Sequence, residues 1–340
     1  MKKIFEPVIL RHLALKNRLV RSATSERLAT ETGVPSEAMI ALYEALGKGG
    51  VAAVITGYTA IDAQEPGSAG MTRMDREELV DGWKPLVDVL HKHDCRAIMQ
   101  LGLRNYVREE RALEPDDCSP EDLAAIVQLY GDAARRAKAA GFDGVQIHAA
   151  HSMWLARFLR PGVNHRLDEY GCSTGNRARI LREILSCIRR KAGGLHVSVK
   201  LNGRDVEQGG MTLPEALGTA LVLVRGNIDS IEVSGVRASE PNIIPGKNEA
   251  CFLPLAKMIK RDSSVPVILA GGNRSVENME RILNEDGIDL LAMSRPLIRE
   301  PDLPQRWKAG KLTPAKCPSC NACHTTQGRR CLFVLRGVAG

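Results

Sequence analysis

Residues 144–179 read GVQIHAAHSMWLARFLRPGVNHRLDEYGCSTGNRAR, and they carry the most informative pattern of the chain. It begins with a short apolar run, 144–148, that is typical of a buried strand. His148 and His151 follow at its carboxyl end. Two imidazoles side by side beyond a strand present two N–H donors, which can polarise a carbonyl or hold a small anion. A structural role or a metal site is the alternative for such a pair.

Seven further apolar runs of similar length flank this one, and amphipathic segments separate them. The predicted strands are 17–23, 51–56, 96–101, 144–148, 196–201, 230–234, 266–270 and 289–293. The predicted helices are 36–48, 77–93, 120–140, 175–192, 213–225, 249–261, 275–285 and 302–309. Three helices begin with a candidate cap, namely Ser119, Thr212 and Ser275.

Eight alternating strand and helix units predict the α/β class and a (β/α)8 TIM barrel, whose active site lies at the carboxyl ends of the strands. A doubly wound open sheet is the alternative, but no GxGxxG follows the first strand. We expect the barrel to occupy residues 1–310. A short Cys-rich segment, 311–340, is expected to pack on it.

Composition limits the partners. The chain has 340 residues, 44% of them hydrophobic, with no apolar run long enough for a membrane span. Glu6 and Pro7 interrupt the N-terminus too early for a secretory signal, so we expect a cytoplasmic location. The net charge of +7 is spread among acidic residues and only 4% of residues are aromatic, which argues against nucleic acid. The charge suits an anionic cofactor, and a homo-oligomer is compatible with this composition.

Four of the nine cysteines lie near the C-terminus, as Cys317, Cys320, Cys323 and Cys331. Closely spaced thiolates can hold an iron–sulfur cluster, so a [4Fe–4S] site is one prediction. Zinc, with His324 as a spare ligand, is a second. A set of free thiols without metal is the third.

The polar residues after the histidine pair carry a family resemblance. They are Phe158-Leu159-Arg160-Pro161, Asn164, Arg166, Asp168-Glu169-Tyr170-Gly171 and Asn176-Arg177-Ala178-Arg179. This order resembles the old yellow enzyme family of FMN-dependent NADH:flavin oxidoreductases, over residues 10–306. The C-terminal cysteines resemble those of its dienoyl-CoA reductase and trimethylamine dehydrogenase branch, although there the fourth cysteine follows a longer gap and further nucleotide-binding domains are present.

The resemblance implies a site for FMN at the strand ends. His148 and His151 would bind the substrate carbonyl. Lys200 would stabilise the anionic reduced flavin and Gln100 would pair with its pyrimidine edge. The other cofactor-binding residues implied are Ser22, Ala23, Thr24, Ser25, Gly57 and Ser234 along the ring, with Gly271, Gly272, Asn273, Ser294 and Arg295 at the phosphate.

The implied activity is hydride transfer from NAD(P)H through FMN to the activated alkene of an α,β-unsaturated carbonyl compound, a small-molecule substrate. One residue departs from the family pattern. Met153 stands where the family has a tyrosine that protonates the alkene, and a thioether has no proton to donate. Tyr58, Tyr106 or water is then the candidate donor. Oxidation of an amine, or electron transfer through a C-terminal iron–sulfur cluster, is the alternative function.

Overall fold

The computed structural model describes residues 1–203, 208–236 and 239–337. Eight parallel strands close into a barrel, because the fourth strand pairs with both the third and the fifth and the eighth pairs with the first. The strands are β1 (Leu19–Arg21), β2 (Ala53–Ile55), β3 (Arg96–Gly102), β4 (Gly144–Ala149), β5 (His196–Asn202), β6 (Ser230–Ser234), β7 (Val267–Leu269) and β8 (Leu290–Met293). The predicted (β/α)8 barrel is therefore confirmed.

A helix follows each strand on the outside of the barrel. These helices are α1 (Glu37–Lys48), α2 (Val80–His91), α3 (Pro120–Ala139), α4 (Arg179–Lys191), α5 (Leu213–Arg225), α6 (Leu253–Asp262), α7 (Val276–Glu285) and α8 (Leu303–Lys308). Short helices occupy Trp154–Phe158, Thr174–Arg177, Arg295–Arg299 and Leu332–Leu335. The apolar faces of the eight helices and the outer faces of the strands form the main core, which is continuous.

The predicted serine or threonine is the N-cap residue at all three helices, and two of the three side chains make the cap hydrogen bond. The Ser119 hydroxyl accepts from the N–H of Asp122, and Thr212 caps α5 in the same way. Ser275 is the N-cap residue of α7, as predicted, but its side chain makes no cap hydrogen bond. Its hydroxyl donates instead to Glu249, and the second carboxylate oxygen of Glu249 accepts from the N–H groups of Arg274 and Ser275. The Glu249 carboxylate therefore holds the backbone just before α7 and does not cap its first turn.

An antiparallel hairpin, Val8–Leu10 with Leu13–Leu15, closes the amino end of the barrel. Its leucines pack with inward-facing barrel residues such as Val20 and Ile268 in a second apolar cluster. A second hairpin, Tyr106–Arg108 with Arg111–Leu113, lies in the loop after β3. The apolar plug leaves the carboxyl end as the open end of the barrel.

The described part of the C-terminal segment, 311–337, lies against this carboxyl end. The N–H of Ala315 donates to the carbonyl of Arg274, and the Arg329 guanidinium donates to the carbonyl of Ser25. Residues 338–340 of the predicted segment lie outside the described residues. Within the described part of the chain, no helix is long and apolar enough to cross a membrane.

Candidate active site

A cleft opens where the carboxyl ends of the strands meet, with about 830 Å³ of space including its mouth. Most of the residues predicted from the sequence line it together, although they come from seven different strand ends. They are Ser22, Ala23, Ser25, Gln100, His148, His151, Lys200, Ser234, Gly271, Gly272, Asn273, Ser294 and Arg295. The barrel topology thus brings together side chains that are up to 273 positions apart in the chain.

The remaining two predicted residues support the wall of the cleft. The Thr24 hydroxyl bonds to Ser294 at 2.8 Å and so joins the loops after β1 and β8. Gly57 packs against the first of these loops, since a Cβ on it would lie 2.4 Å from the carbonyl oxygen of Thr24. Gly57 is therefore required for the close approach of two loops, which is a packing role.

The two histidines form one wall of the cleft. Their ring centroids are 5.1 Å apart and the rings are nearly perpendicular, at 82°. His151 Nε2 is 3.0 Å from the Ser234 hydroxyl, and its backbone N–H donates to Asn202 Oδ1. The backbone at His151 is in the left-handed region, with φ of 56°, which is uncommon outside glycine. The described residues offer His148 Nδ1 no partner, although this atom is buried.

Burial keeps both imidazoles uncharged. It lowers the pKa of His148 to about 3, and the positive charge of Lys200 contributes in the same direction. The pKa of His151 is well below its usual value for the same two reasons. At neutral pH the pair therefore offers neutral N–H donors, which suit an uncharged carbonyl oxygen.

The floor of the cleft is a chain of buried polar side chains. Lys200 Nζ lies 2.9 Å from Glu232 Oε1 and 2.9 Å from the Ser22 hydroxyl. Gln146 Nε2 donates to the other oxygen of Glu232 at 2.7 Å, and Gln100 Nε2 donates to Gln146 Oε1 at 2.7 Å. Register explains the contacts, because Gln100 lies opposite Gln146, and Lys200 opposite both His148 and Glu232, on neighbouring strands.

Two arginines, Arg274 and Arg295, line the end of the cleft formed by the loops after β7 and β8. Gly272 has φ of 91°, a left-handed conformation that favours glycine. Arg295 Nη1 donates to Asn321 Oδ1 at 2.6 Å, and the buried Arg274 donates to the Ser319 hydroxyl at 2.8 Å. Both guanidinium groups line the cleft. Arg274 was not predicted from the sequence, although it directly follows the predicted Asn273.

Tyr58 lies beside the histidines in the lining of the cleft. Its ring is 6.4 Å from that of His148, edge to face. Its hydroxyl contacts both carboxylate oxygens of Glu65, at 2.6 and 2.7 Å, and accepts from the N–H of Arg104 at 2.9 Å. Burial raises the pKa of both Tyr58 and Glu65. Met153 packs against the small apolar cluster that contains Tyr58.

The C-terminal cysteines differ in exposure. Cys323 is buried, Cys320 is exposed, and Cys317 and Cys331 are half-buried. Within residues 1–203, 208–236 and 239–337, no three or more His, Cys, Asp or Glu side chains come together as a metal site. The predicted metal site at these cysteines, whether [4Fe–4S] or zinc, therefore stays a prediction.

Comparison with known proteins agrees with this geometry. The NADH:flavin oxidoreductase / NADH oxidase family model matches residues 3–119 and 104–313. Among solved structures, a 2-naphthoyl-CoA reductase complex superposes with a TM-score of 0.84 at 24% identity, covering 99% of this chain and 56% of that one. Morphinone reductase gives 0.76 at 22% identity, covering 91% of this chain and 90% of that one. These two likenesses concern the fold.

Relatives of known activity differ in length. An NADH oxidase of Thermoanaerobacter brockii is 30% identical over 91% of this chain, and the chain spans about half (51%) of that protein. A 4,4'-dithiodibutanoate disulfide reductase of Rhodococcus erythropolis is 28% identical, with 97% of this chain and 94% of that protein covered. An NADPH dehydrogenase of Clostridium acetobutylicum is 29% identical, with 88% and 92% covered. The chain therefore belongs to the NADH:flavin oxidoreductase / NADH oxidase family, the old yellow enzyme family whose motifs it carries.

Proposed function

We propose that this chain binds FMN in the cleft, takes hydride from NAD(P)H, and reduces the activated alkene of an α,β-unsaturated carbonyl compound. The observation that carries the proposal is the pair of neutral imidazoles, His148 and His151, whose rings lie 5.1 Å apart at the cleft wall. Donors held in place before the reaction stabilise the negative charge that develops on a carbonyl oxygen. His148 Nδ1 is buried without a partner among the described residues, so a bound carbonyl is its candidate partner.

The residues present fit FMN. Buried polar atoms without a partner among the described residues include His148 Nδ1, Asn273 Oδ1 and Arg274 Nε. Buried polar groups are normally satisfied, so these atoms point to a ligand. Gln100 lines the cleft and its amide nitrogen donates to Gln146, so its carbonyl oxygen would be the acceptor for a ligand. Gly272, Arg274 and Arg295 would hold the phosphate, and Lys200 would face the ring. Bound FMN would supply the hydride transfer itself.

Proton transfer to the alkene is the step at which this chain departs from the family pattern. Tyr106 donates to Asp122 at 3.3 Å, away from the cleft. Tyr58 lines the cleft, whereas its hydroxyl donates to the Glu65 carboxylate, so a proton that Tyr58 gives up is replaced from water. We therefore favour Tyr58 over Tyr106 as the proton donor, with solvent water as the alternative.

A second candidate is reduction of an acceptor that needs no proton on carbon. Met153 cannot protonate an alkene, and a relative covered over 94% of its length reduces a disulfide. Such a reaction consumes two electrons and two protons and places both protons on sulfur, which exchanges protons with water directly. Oxidation of an amine, or transfer of electrons to a cluster at the four cysteines, is a further alternative.

The test begins with the purified protein. Its visible spectrum and the mass of the released cofactor establish whether FMN is bound, and iron and sulfide analysis examines the cysteines. Reduced nicotinamide is then supplied with cyclohexenone, with 4,4'-dithiodibutanoate, or with no acceptor. Turnover of the enone well above the rate without acceptor supports the proposal. Turnover of the disulfide alone supports the second candidate, and a colourless protein that does not take up FMN contradicts both.

Replacement of Met153 by tyrosine should accelerate alkene reduction. A positioned general acid contributes about 10²–10⁴-fold, and we expect at least a tenfold gain because Tyr58 or water already supplies part of this effect. The measurement is the rate at which cyclohexenone reoxidises the prereduced protein in a stopped-flow instrument. Reoxidation by a disulfide serves as the control, which should not change. An unchanged rate with the enone, in a folded Met153→Tyr protein, would contradict this explanation of the site.

A further inference from the structure

Glu232 is the centre of the buried floor, although it does not itself line the cleft. It lies on β6, is fully buried, and accepts from three side chains: Lys200 and Ser22 at one carboxylate oxygen, and Gln146 at the other. Ser22 and Lys200 both line the cleft. The carboxylate therefore lies directly behind the groups that would face the pyrimidine side of the flavin.

This arrangement changes the field that Lys200 produces. A lone ammonium group would act on a ring in the cleft as a full positive charge, and such fields are strong where water is excluded. A carboxylate 2.9 Å behind the ammonium reduces this field, because at the distance of the ring the two opposite charges act nearly as a dipole. The hydrogen bonds also limit where Nζ can lie, since it contacts Ser22 and Glu232 at the same 2.9 Å.

We propose that Glu232 is a positioning residue that fixes Lys200 and offsets its charge, so that the floor of the cleft is close to neutral. This inference rests on the proposed binding of FMN. A positive charge near the ring favours the reduced, anionic flavin and raises its midpoint potential. Glu232 therefore keeps the potential of the bound flavin lower than Lys200 alone would set it.

The experiment measures the two-electron midpoint potential of the bound flavin by spectroelectrochemistry. Glu232→Gln removes the charge and keeps the shape, so the potential should rise by at least about 30 mV, a tenfold shift toward the reduced form. In the double variant Lys200→Gln with Glu232→Gln, neither charge is present, and the potential should return close to that of the unaltered protein. Glu232→Asp moves the carboxylate back by one methylene, and its potential should lie between those of the unaltered protein and the Gln variant.

Asp229→Asn is the matched control, because Asp229 is also a buried carboxylate, lies just before β6, and pairs with Arg189 at the opposite end of the barrel. This control should lower stability and leave the potential unchanged. If Glu232→Gln does not fold, the Asp variant carries the test with a smaller rise. An unchanged or lower potential, or an equal rise in Asp229→Asn, overturns the inference while bound FMN still supports the proposed function. A protein that takes up no flavin overturns both.

Discussion

His148 and His196 lie on neighbouring strands of the same barrel, and both are buried, but they differ in their hydrogen bonds. His196, at the amino end of β5, has Nδ1 2.9 Å from the carbonyl oxygen of Arg11 and Nε2 2.9 Å from the Ser230 hydroxyl. A carbonyl can only accept, so Nδ1 carries the proton and both nitrogens are satisfied. His148, at the carboxyl end of β4, keeps an Nδ1 without a partner among the described residues.

This difference separates the two ends of the barrel. At the amino end an apolar hairpin closes the barrel and the buried histidine is satisfied within the protein. At the carboxyl end His148 Nδ1 has no partner among the described residues, and burial lowers the pKa of both imidazoles that line the cleft. Burial of a histidine alone therefore does not mark a functional site. An unsatisfied atom on a residue that lines the cleft is a stronger indication, because unpartnered buried atoms such as Arg18 Nε and His93 Nε2 also occur away from it.

The largest expected effect tests this difference directly. His148→Ala should lower kcat/KM for the enone by about 10²–10³-fold, the usual effect of removing one donor to a developing oxyanion. His196→Ala removes an equally buried imidazole from the other end and should lower stability without a comparable loss of activity. Steady-state kinetics and thermal unfolding of both variants provide the measurement. Equal losses of activity in the two folded variants would show that His148 has only a structural role.

The second prediction concerns the phosphate end of the cleft. Arg295 and Arg299 lie on one short helix, but only Arg295 faces the cleft, while Arg299 lies over the Phe333 ring at 4.7 Å. A charge-assisted hydrogen bond contributes about 1.5–3 kcal/mol, so Arg295→Met should weaken FMN binding by about tenfold or more. Arg299→Met is the control and should bind FMN with nearly the original affinity. Fluorescence titration of the flavin-free variants measures both dissociation constants, and equal constants would place the phosphate elsewhere.

The sequence predicts the barrel well for a physical reason. Strands buried on both faces appear as short continuous apolar runs, and all eight runs became barrel strands. Helix boundaries were less accurate. The predicted helix 249–261 begins only at Leu253, with Pro254 in its first turn, because 249–252 approach Gly271 and the loop after β7 instead. The three-residue strands of both hairpins are too short to give a periodic pattern.

Site residues were predicted where a family motif named them and missed where only register reveals them. Glu232 appears in the sequence as one acid within an apolar strand, and its partner Lys200 is 32 positions away. Glu65 was missed as the partner of Tyr58, because the two residues contact each other across a loop that has no repeating pattern. Arg274 was missed because its partner, Ser319, lies in the irregular C-terminal segment. Tertiary pairing determines such contacts, and local sequence carries little information about them.

The last prediction concerns acid stability. His148 has a pKa of about 3 in the folded protein and about 6.5 when unfolded, so its contribution to stability is present above pH 6.5 and is lost as the pH falls toward 3. Between pH 7.5 and 5.0 this one group should account for about 2 kcal/mol of the loss. His148→Gln should therefore lose about 2 kcal/mol less than the unaltered protein over this range, as measured by urea unfolding at both pH values.

For His196 the hydrogen bond to Arg11 and the charge of Asp229 act against the effect of burial, so His196→Gln should flatten the profile less. A His148→Gln profile parallel to that of the unaltered protein would mean that the folded protein protonates this histidine, and the carbonyl site would then bear a positive charge.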